Sequence, residues 1–225
     1  MTLRVLEIFD SFQGEGFWTG TPMTFVRLAG CNAAELGLAC AEWCDTIGEW
    51  HPDEGEELEV SEVILKVRLP RVCLTGGEPL LQKEGVARFA AEARGLGMKV
   101  HLETNGMISP PAPGPWAPDG QSFDWAVVSP KPPGYEVARG WAGRVDELKF
   151  IVDEHLTSEV AERVAECHPE ALVSIQPVWV TRAADGRRTG ASEPSRRSTH
   201  KAMTMVMEHP EWRLSLQMHK FLGIR

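Results

Sequence analysis

Three of the five cysteines in this 225-residue chain lie close together. Eight residues separate Cys31 from Cys40, and three separate Cys40 from Cys44. Thiolates bind zinc or iron–sulfur clusters, and a closed structural zinc site would need a fourth ligand, for which His51 is a candidate. Three thiolates without a fourth ligand suit a 4Fe-4S cluster whose remaining iron is open to another molecule. Zinc, a cluster and simple packing of buried thiols therefore all remain open from this segment alone.

A second stretch that could do chemistry is LTGGEPLLQ, from Leu74 to Gln82. Its two glycines allow a ligand to approach the backbone closely, and Glu78 could accept a charge-assisted hydrogen bond from an ammonium group. The alternative is an ordinary turn from strand to helix, in which the acidic side chain complements the helix dipole. Taken by itself, this stretch favours the ordinary turn.

The elements that must position these residues alternate along the chain. Helical segments follow β-rich apolar segments, a pattern typical of βαβ units and a parallel sheet. The predicted strands cover residues 23–30, 71–75, 98–104, 124–131, 147–153, 171–177 and 212–217. One predicted helix has Ser61 as its N-cap and the others cover 79–94, 158–167 and 199–208, whereas 109–122 and 181–198 are predicted loops. We therefore expect one α/β domain over residues 1–225, with about six strands and its sites at their carboxyl ends.

The composition argues against several classes of protein. The formal net charge is −9, and such an acidic chain lacks the basic stripe typical of nucleic-acid binding. The first ten residues carry no signal-peptide pattern, and no apolar run approaches the ~20 residues that span a bilayer. We expect a cytoplasmic protein that binds neither nucleic acid nor membrane. Thiols stay reduced in that compartment, and Cys73 and Cys167 are predicted to pack rather than to bind a cluster.

Taken together, the three cysteines, Trp43 directly before the last of them, and the TGGEP segment resemble the radical S-adenosylmethionine superfamily. The resemblance implies that Cys31, Cys40 and Cys44 bind a 4Fe-4S cluster and that the methionine moiety of S-adenosylmethionine chelates the open iron. Electron transfer from the cluster would then cleave the sulfonium and produce a 5′-deoxyadenosyl radical. The spacing here is C-x8-C-x3-C, whereas the superfamily usually has C-x3-C-x2-C, so NAAELGLA would be an insertion in the first gap.

The two ends of the chain narrow the resemblance. EIFDSFQGEGFWTGTPMTFVRLAGC and RLSLQMHKFLGIR resemble the 7-carboxy-7-deazaguanine synthases of the queuosine and 7-deazapurine pathway, and CDT, ETNG, SPK, DELKFIV and IQP follow in matching order. The resemblance implies a lyase that converts 6-carboxy-5,6,7,8-tetrahydropterin to 7-carboxy-7-deazaguanine with loss of ammonia. The adenosyl radical would abstract the hydrogen at C6, the ring would contract, and hydrogen would return to regenerate S-adenosylmethionine.

The same resemblance implies roles for individual residues. Those implied to bind S-adenosylmethionine are Trp43, Thr75, Gly76, Gly77, Glu78, Ser129, Lys131 and Gln176. Those implied to bind the pterin are Phe12, Gln13, Gly14, Glu15, Gly16, Arg27, Glu103, Asn105, His219 and Arg225, whose terminal carboxylate is expected to reach the pterin ring. Thr46 is implied to bind a magnesium ion at the substrate carboxylate.

Several of these residues have ordinary structural alternatives. Gln13 and Glu15 suit the paired N–H donors of a pterin amidine edge, and Arg27 suits a carboxylate. The alternatives are a polar turn for Gln13 and Glu15, a structural salt bridge for Arg27, a helix N-cap at Asp45 or Thr46, an Asn-Gly turn at Asn105 and a surface position for His219.

The resemblance also implies an incomplete (β/α)6-type barrel, a homodimer, and an electron donor such as flavodoxin or ferredoxin. A glycyl-radical-activating enzyme would share the cysteines and the small size, but it would act on a protein and would need neither QGEG nor LQMHK. A zinc-binding module without enzymatic activity would need only the cysteines and His51. These two alternatives belong to different functional classes, and iron–sulfur absorbance would separate the second from the first.

Overall fold

The computed structural model of the chain describes residues 1–44, 54–112, 122–179 and 194–224. In these residues the strands are β1 Thr2–Phe12, β2 Pro22–Leu28, β3 Glu56–Glu59, β4 Arg71–Gly76, β5 Lys99–Thr104, β6 Trp125–Val128, β7 Glu147–Val152, β8 Leu172–Pro177 and β9 Arg213–Leu214. The helices are α1 Cys40–Trp43, α2 Val60–Lys66, α3 Lys83–Gly95, α4 Ser158–Glu166, α5 Arg196–Glu208 and α6 Met218–Leu222. Two short 3-10 helices cover Pro79–Gln82 and Arg139–Trp141.

All of these strands join one sheet, in the order β3-β1-β2-β4-β5-β6-β7-β8-β9. From β2 through β9 the neighbouring strands run parallel, whereas β1 pairs antiparallel with both β2 and β3. β3 and β9 each pair with a single strand, so the sheet is open in the part of the chain that the structure describes. The predicted α/β class with a parallel sheet is therefore confirmed.

The expected number of strands, about six, was too low because β1 and β3, which pair antiparallel with each other, were not predicted. β1 mixes polar and apolar side chains on a half-exposed face, and β3 has four residues with a single buried position. The segment 212–217 forms only the two-residue β9. The six longer parallel strands, β2 and β4 to β8, correspond to predicted segments.

The helix starts differ from the predicted ones where capping decides them. Ser61 lies inside α2, and Glu59 is its N-cap, because Glu59 and Glu62 form a reciprocal capping box. The predicted helix 79–94 is divided into a 3-10 turn and α3, since the backbone at Gln82 is not helical. α5 begins at Arg196, three residues before the predicted start, because the side chain of Ser195 caps it.

The predicted loops fall mostly on residues that the structure does not describe. Of the segment 109–122, residues 113–121 lie outside the described residues, and the others form neither helix nor strand. Of the segment 181–198, residues 181–193 lie outside the described residues. Pro194 forms an isolated bridge with Trp179, and residues 196–198 belong to α5, so the loop prediction was wrong for its last three residues.

The two faces of the sheet have different compositions because successive side chains of a strand point to opposite faces. One face is apolar and packs against the helices; examples are Leu74, Leu102, Leu148 and Ile175, which share the core with Phe89 of α3. The alternate positions on the same strands are largely polar. They include Arg27, Thr75, His101, Glu103, Glu147, Lys149, Ser174 and Gln176. The polar and charged side chains of the sheet therefore lie mainly on this second face.

The loop from residue 13 to residue 21, between β1 and β2, folds against this polar face. Phe17 stacks on Trp125 with ring centroids 5.1 Å apart, and Trp18 meets His101 edge to face at 5.3 Å. The guanidinium of Arg71 lies 4.2 Å from the centroid of Trp18. These contacts anchor the far end of the loop at the amino ends of the strands and leave residues 13–15 nearer the carboxyl ends. No helix in the described residues is long and apolar enough to cross a membrane.

Candidate active site

A cavity of about 260 Å³ lies over the polar face at the carboxyl ends of the parallel strands. It brings together residues from β2, from β4 to β8, from the loop after β1 and from the segment around α6. The predicted site residues that line it are Phe12, Gln13, Gly14, Glu15, Arg27, Cys31, Cys40, Cys44, Thr75, Gly76, Gly77, Glu103, Asn105, Ser129, Lys131, Gln176 and His219. Residues 207 positions apart in the chain, such as Phe12 and His219, therefore face one space.

The three clustered cysteines all line this cavity. Cys31 follows the end of β2, Cys40 begins α1, and Cys44 follows α1, with its amide donating to the carbonyl of Cys40 at 2.9 Å. All three are free thiols, and Cys40 is buried. Burial raises the pKa of Cys40 to about 11, an effect that Lys131 opposes and that the thiols of Cys44 and Cys31 reinforce. Cys31, Cys40 and Cys44 therefore share one cavity, in which Lys131 is the nearby cation that favours a thiolate at Cys40.

This donor set suits an iron–sulfur cluster, because cysteine thiolates are the usual ligands of such clusters. Among the described residues, no group of three or more His, Cys, Asp or Glu side chains is arranged to hold one metal ion. A 4Fe-4S cluster places each thiolate on a different iron, so its ligands stand farther apart than those of one zinc ion. The three thiols line one cavity, from which they could bind one cluster. His51, the fourth ligand of the alternative zinc site, lies outside the described residues.

The two glycines after β4 form the wall beside the cysteines. Gly76 has φ of +134°, and a side chain there would overlap the backbone of Leu28 in β2. At Gly77 a side chain would meet the carbonyl of Gly30, directly before Cys31. Both positions therefore require glycine, because the turn after β4 passes close to the end of β2, which leads into Cys31.

Glu78 does not line the cavity. Its carboxylate is fully buried and accepts hydrogen bonds from the amide of Leu80 at 3.0 Å, the hydroxyl of Thr104 at 2.7 Å and the amide of Asn105 at 2.7 Å. Burial raises the pKa of Glu78 above its ordinary value, although all three donors oppose that shift. The contacts of Glu78 thus lie within the protein, and direct contact with an ammonium group stays a prediction.

The cavity wall also carries a polar network built on the QGEG loop. The side-chain amide of Gln13 donates to Glu103 at 2.9 Å and its oxygen accepts from the amide of Glu15 at 3.1 Å. Glu15 also accepts from Gln217 at 2.7 Å and from Lys149 at 2.5 Å. Two carboxylates from different elements, Glu15 and Glu103, therefore face the cavity in fixed orientations.

The charges in this network determine the ionisation of Glu15. Burial would raise the pKa of this carboxyl, but the ammonium of Lys149, with smaller contributions from His219 and Gln217, holds it well below its usual range. Burial would likewise lower the pKa of Lys149, but Glu103 and Glu15 raise it overall. Glu15 and Lys149 are accordingly both charged at neutral pH.

For two predicted residues the structural alternative is present in the fold. The guanidinium of Arg27 donates from Nε to Glu7 at 2.8 Å, while the side chain also lines the cavity. The side chain of Asn105 accepts from the amide of Met107 at 2.9 Å, so the Asn-Gly turn is formed, and it also donates to Asn32 at 2.7 Å. Both residues are therefore held in place by protein contacts at the cavity wall.

The remaining strand-end residues form two pairs. Lys131 donates to the hydroxyl of Ser129 at 2.8 Å after β6. Gln176, at the end of β8, accepts from the hydroxyl of Ser215 at 2.7 Å, and Ser215 in turn accepts from the amide of Gly16. This chain of contacts links Gln176, which is predicted to bind S-adenosylmethionine, to the QGEG loop.

The segment around α6 covers the same loop. The amide of Met218 donates to the carbonyl of Gly14 at 2.8 Å, and a side chain at position 14 would overlap the ring of His219. His219 therefore packs directly over the loop rather than on the outer surface. Its predicted position at the site is matched by the geometry, whereas its role stays a prediction.

Among the described residues, Gly16 is a second predicted site residue, besides Glu78, that does not line the cavity. Gly16, with φ of +65°, lies behind the cavity against the buried carboxylate of Glu147, which accepts from the amide of Phe17. Trp43 belongs to α1, but its side chain lies outside the described residues, as do Thr46 and Arg225 entirely. The magnesium ligand and the terminal carboxylate are therefore untested by this structure, as is the N-cap alternative at Asp45.

Comparison with known proteins decides the family. No family model matches the chain. A relative from Hyperthermus butylicus, named 7-carboxy-7-deazaguanine synthase, is 39% identical over 192 residues, which cover 78% of this chain and 77% of that protein. Relatives of the same name from Methanospirillum hungatei and Bradyrhizobium diazoefficiens are each 34% identical, covering 99% and 100% of this chain and 86% and 100% of their own lengths. The chain belongs to the 7-carboxy-7-deazaguanine synthase family.

The fold agrees with this family. The crystal structure of QueE from Escherichia coli superposes with a TM-score of 0.69 at 23% identity, covering 97% of this chain and 95% of that one. The predicted family is thus confirmed. Neither alternative, a glycyl-radical-activating enzyme or a non-enzymatic zinc module, gains support from these relatives.

The cavity also contains residues for which the sequence patterns predicted no site role. Lys149 and Gln217 both line the cavity and bind Glu15, and Trp179 lines it beside Pro177 and Val178. Lys149 carried a usable signal, since a lysine in the middle of the buried strand ELKFIV needs a charged partner. Trp179 carried no comparable signal, because its position depends on contacts with Phe221 of α6.

Proposed function

We propose that the chain is a radical S-adenosylmethionine enzyme, a lyase that converts 6-carboxy-5,6,7,8-tetrahydropterin to 7-carboxy-7-deazaguanine with loss of ammonia. The observation that carries the proposal is one cavity lined both by three thiols and by the largely buried Gln13–Glu15–Glu103–Lys149 network. Family membership supports the same reaction. A radical generated beside the thiols would arise in the same cavity as a substrate held by the carboxylates.

In this proposal, Cys31, Cys40 and Cys44 hold a 4Fe-4S cluster through their thiolates. The cluster and S-adenosylmethionine, when bound, supply the radical chemistry that removes a hydrogen atom from the substrate. Lys131 and Ser129 suit the carboxylate and Gln176 suits the ribose hydroxyls of S-adenosylmethionine, while Gly76 and Gly77 admit the cofactor close to the backbone. Glu78 and Thr75 support that wall, and Trp43 is proposed to contact the cofactor.

The substrate end is proposed to be recognised by charge and by donor–acceptor pattern. Glu15 and Glu103 would accept hydrogen bonds from the amidine edge of the pterin, and Gln13 would orient them. Arg27 would bind the substrate carboxylate, and His219 and Asn105 would enclose the ring. Because the wall is polar and largely buried, these contacts exclude water from the reacting carbon and fix its position.

Several further assignments belong to this proposal. Thr46 would place a hydroxyl on a magnesium ion, a hard cation that takes oxygen ligands. The open sheet is proposed to be a form of the incomplete (β/α)6-type barrel. The protein is proposed to act as a homodimer in the cytoplasm, where thiols stay reduced, with flavodoxin or ferredoxin as electron donor. Arg225 is proposed to bring its carboxylate to the pterin.

The deciding experiment is anaerobic turnover with the reconstituted protein. The carboxytetrahydropterin, S-adenosylmethionine, a chemical reductant and magnesium are supplied, and 7-carboxy-7-deazaguanine and ammonia are measured. We expect product from the wild-type protein and none from Cys40→Ala, with S-adenosylmethionine regenerated rather than consumed. Absence of product from protein that holds its full iron content would refute the proposed function. Turnover that is unaffected by chelating magnesium would refute the magnesium assignment alone.

A further inference from the structure

Lys149 lies in the middle of β7 with its ammonium on the cavity face. Its side chain is only 6% exposed, and Nζ lies 2.5 Å from Glu15 Oε2 and 3.5 Å from Glu103 Oε2. A buried ammonium is strongly unfavourable unless carboxylates pair with it. Here two carboxylates that come from different elements converge on one cation, and all three groups line the cavity.

Each carboxylate is held at both of its oxygens. In Glu15, Oε2 binds Lys149 and Oε1 accepts from Gln217 at 2.7 Å. In Glu103, Oε2 faces Lys149 and Oε1 accepts from Gln13 at 2.9 Å. The other titratable or charged groups around this centre are Arg27 on β2, Cys73 on β4, Glu147 on β7 and His219 on α6. Lys149 is the cation that contacts both carboxylates among the described residues.

We propose that Lys149 is a positioning residue for substrate recognition: its ammonium keeps Glu15 and Glu103 together as two ionised hydrogen-bond acceptors on the cavity wall. The inference rests on the proposed function, because it assigns the acceptors to the N–H donors of a pterin amidine edge. Lys149 acts through the carboxylates and need not touch the substrate itself.

The physical reason is the cost of placing two carboxylates side by side in a buried site. Without a cation between them, like-charge repulsion and burial favour protonation of one carboxyl group. A protonated carboxyl group is a hydrogen-bond donor, and it would face an N–H donor of the pterin. An opposed pair of donors leaves both unsatisfied, so the substrate would bind weakly until the proton is lost. Lys149 thus determines the donor–acceptor pattern of the wall.

The test compares Lys149→Met, which removes the charge, with Lys149→Arg, which keeps it. Lys66→Met is the matched control, because Lys66 is exposed on α2. The first measurement uses no substrate: infrared difference spectra against wild type report the C=O band of a protonated carboxyl group. We expect that band in Lys149→Met at about pH 6 and its absence in Lys149→Arg and Lys66→Met.

The second measurement is the affinity for 6-carboxypterin, a fluorescent and unreactive pterin, between about pH 5.5 and 7.5. Wild type, Lys149→Arg and Lys66→Met should bind with little dependence on pH. Lys149→Met should weaken by up to about tenfold for each unit that the pH falls, because binding then requires loss of one proton. A Lys149→Met affinity curve parallel to that of wild type, or Lys149→Arg behaving like Lys149→Met, would overturn the proposal.

A second pair of variants covers the case in which Lys149→Met alone fails to fold. Glu103→Gln and Glu103→Gln/Lys149→Met differ only in the cation, and the double variant removes one charge of each sign. The carboxyl band and the pH-dependent affinity should appear only in the double variant; identical behaviour of the two refutes the proposal. Loss of pterin binding and turnover in wild type would contradict the proposed function, while the infrared band still decides the role of Lys149.

Discussion

The carboxylate of Glu78 accepts a hydrogen bond from the backbone amide of Asn105 at 2.7 Å. Glu78 follows the end of β4 and Asn105 follows the end of β5, so one buried side chain joins two neighbouring strand ends of the site. Thr104 and Leu80 donate to the same carboxylate. The acidic residue of the TGGEP segment therefore stabilises the wall on which Thr75, Gly76 and Gly77 face the cavity.

We expect Glu78→Gln to reduce the free energy of unfolding by roughly 1–3 kcal/mol, because its amide nitrogen would face an N–H or hydroxyl donor in a buried site. Denaturant unfolding measures this change, and Glu57→Gln, an exposed partner of Arg4, is the control with little expected effect. Iron content should be retained, while affinity for S-adenosylmethionine should fall. An unchanged unfolding free energy would contradict the structural role, and an unchanged cofactor affinity would remove Glu78 from the cofactor site.

Alanine substitution should distinguish the three cavity cysteines from the other two. Cys31→Ala, Cys40→Ala and Cys44→Ala should each lose iron and turnover, because each would remove one ligand of the cluster. Cys73→Ala and Cys167→Ala are the matched controls: Cys73 is buried in an apolar cluster with Met23 and Phe25, and Cys167 is exposed. Iron analysis and visible absorbance after anaerobic reconstitution measure the outcome. A full four-iron complement in Cys40→Ala would show that the ligand set is different.

Gly14→Ala should raise the Michaelis constant for the carboxytetrahydropterin by about tenfold or more, because the added methyl group would displace the ring of His219 from the cavity. Iron content and affinity for S-adenosylmethionine should be unchanged, since neither depends on this contact. Gly95→Ala, at the end of α3, is the control, because a side chain there meets no other atoms within 4 Å. Wild-type kinetics in Gly14→Ala would mean that His219 does not contribute to substrate binding.

His101 should make the stability depend on pH. Burial, together with Arg71, lowers the pKa of this buried side chain to about 4 from an ordinary value of 6.5. Because the unfolded chain binds a proton at this position more readily than the folded chain, stability is lost as the pH falls from about 6.5 towards 4, by about 3 kcal/mol in total.

Denaturant unfolding between about pH 7 and 5 measures the larger part of that loss, above the range in which most carboxyl groups titrate. His101→Gln should flatten the dependence, whereas the exposed His155→Gln should leave it unchanged. Equal pH dependence in wild type and His101→Gln would show that His101 does not account for the loss.

The local patterns of the sequence were sufficient for the α/β class, most parallel strands and the family. Strands β4 to β8 are short segments rich in apolar residues, and all but β7 end at or within two residues of Gly, Asn or Pro. Such segments can be recognised without reference to the rest of the chain. The cysteines, TGGEP and QGEG are likewise local, and each carries its chemistry in residue type and spacing. The N-cap of α2 was harder to predict from the sequence. Ser61 has the residue type of an N-cap, but Glu59 is the N-cap because its capping box with Glu62 satisfies two backbone amides.

Only the tertiary structure decided how these segments meet. Glu78 finds its partners on the next strand, 26 and 27 residues later, and those partners leave its carboxylate inside the wall rather than on the cavity. Lys149 binds Glu15, which is 134 residues away in the chain, and Gln217 binds the same carboxylate from 202 residues away. The alternation within ELKFIV indicated which side chains share a face, but not which distant charges share that face with them. Those pairings depend on the order of strands in the sheet and on the path of the loop after β1, which chain-local propensities do not encode.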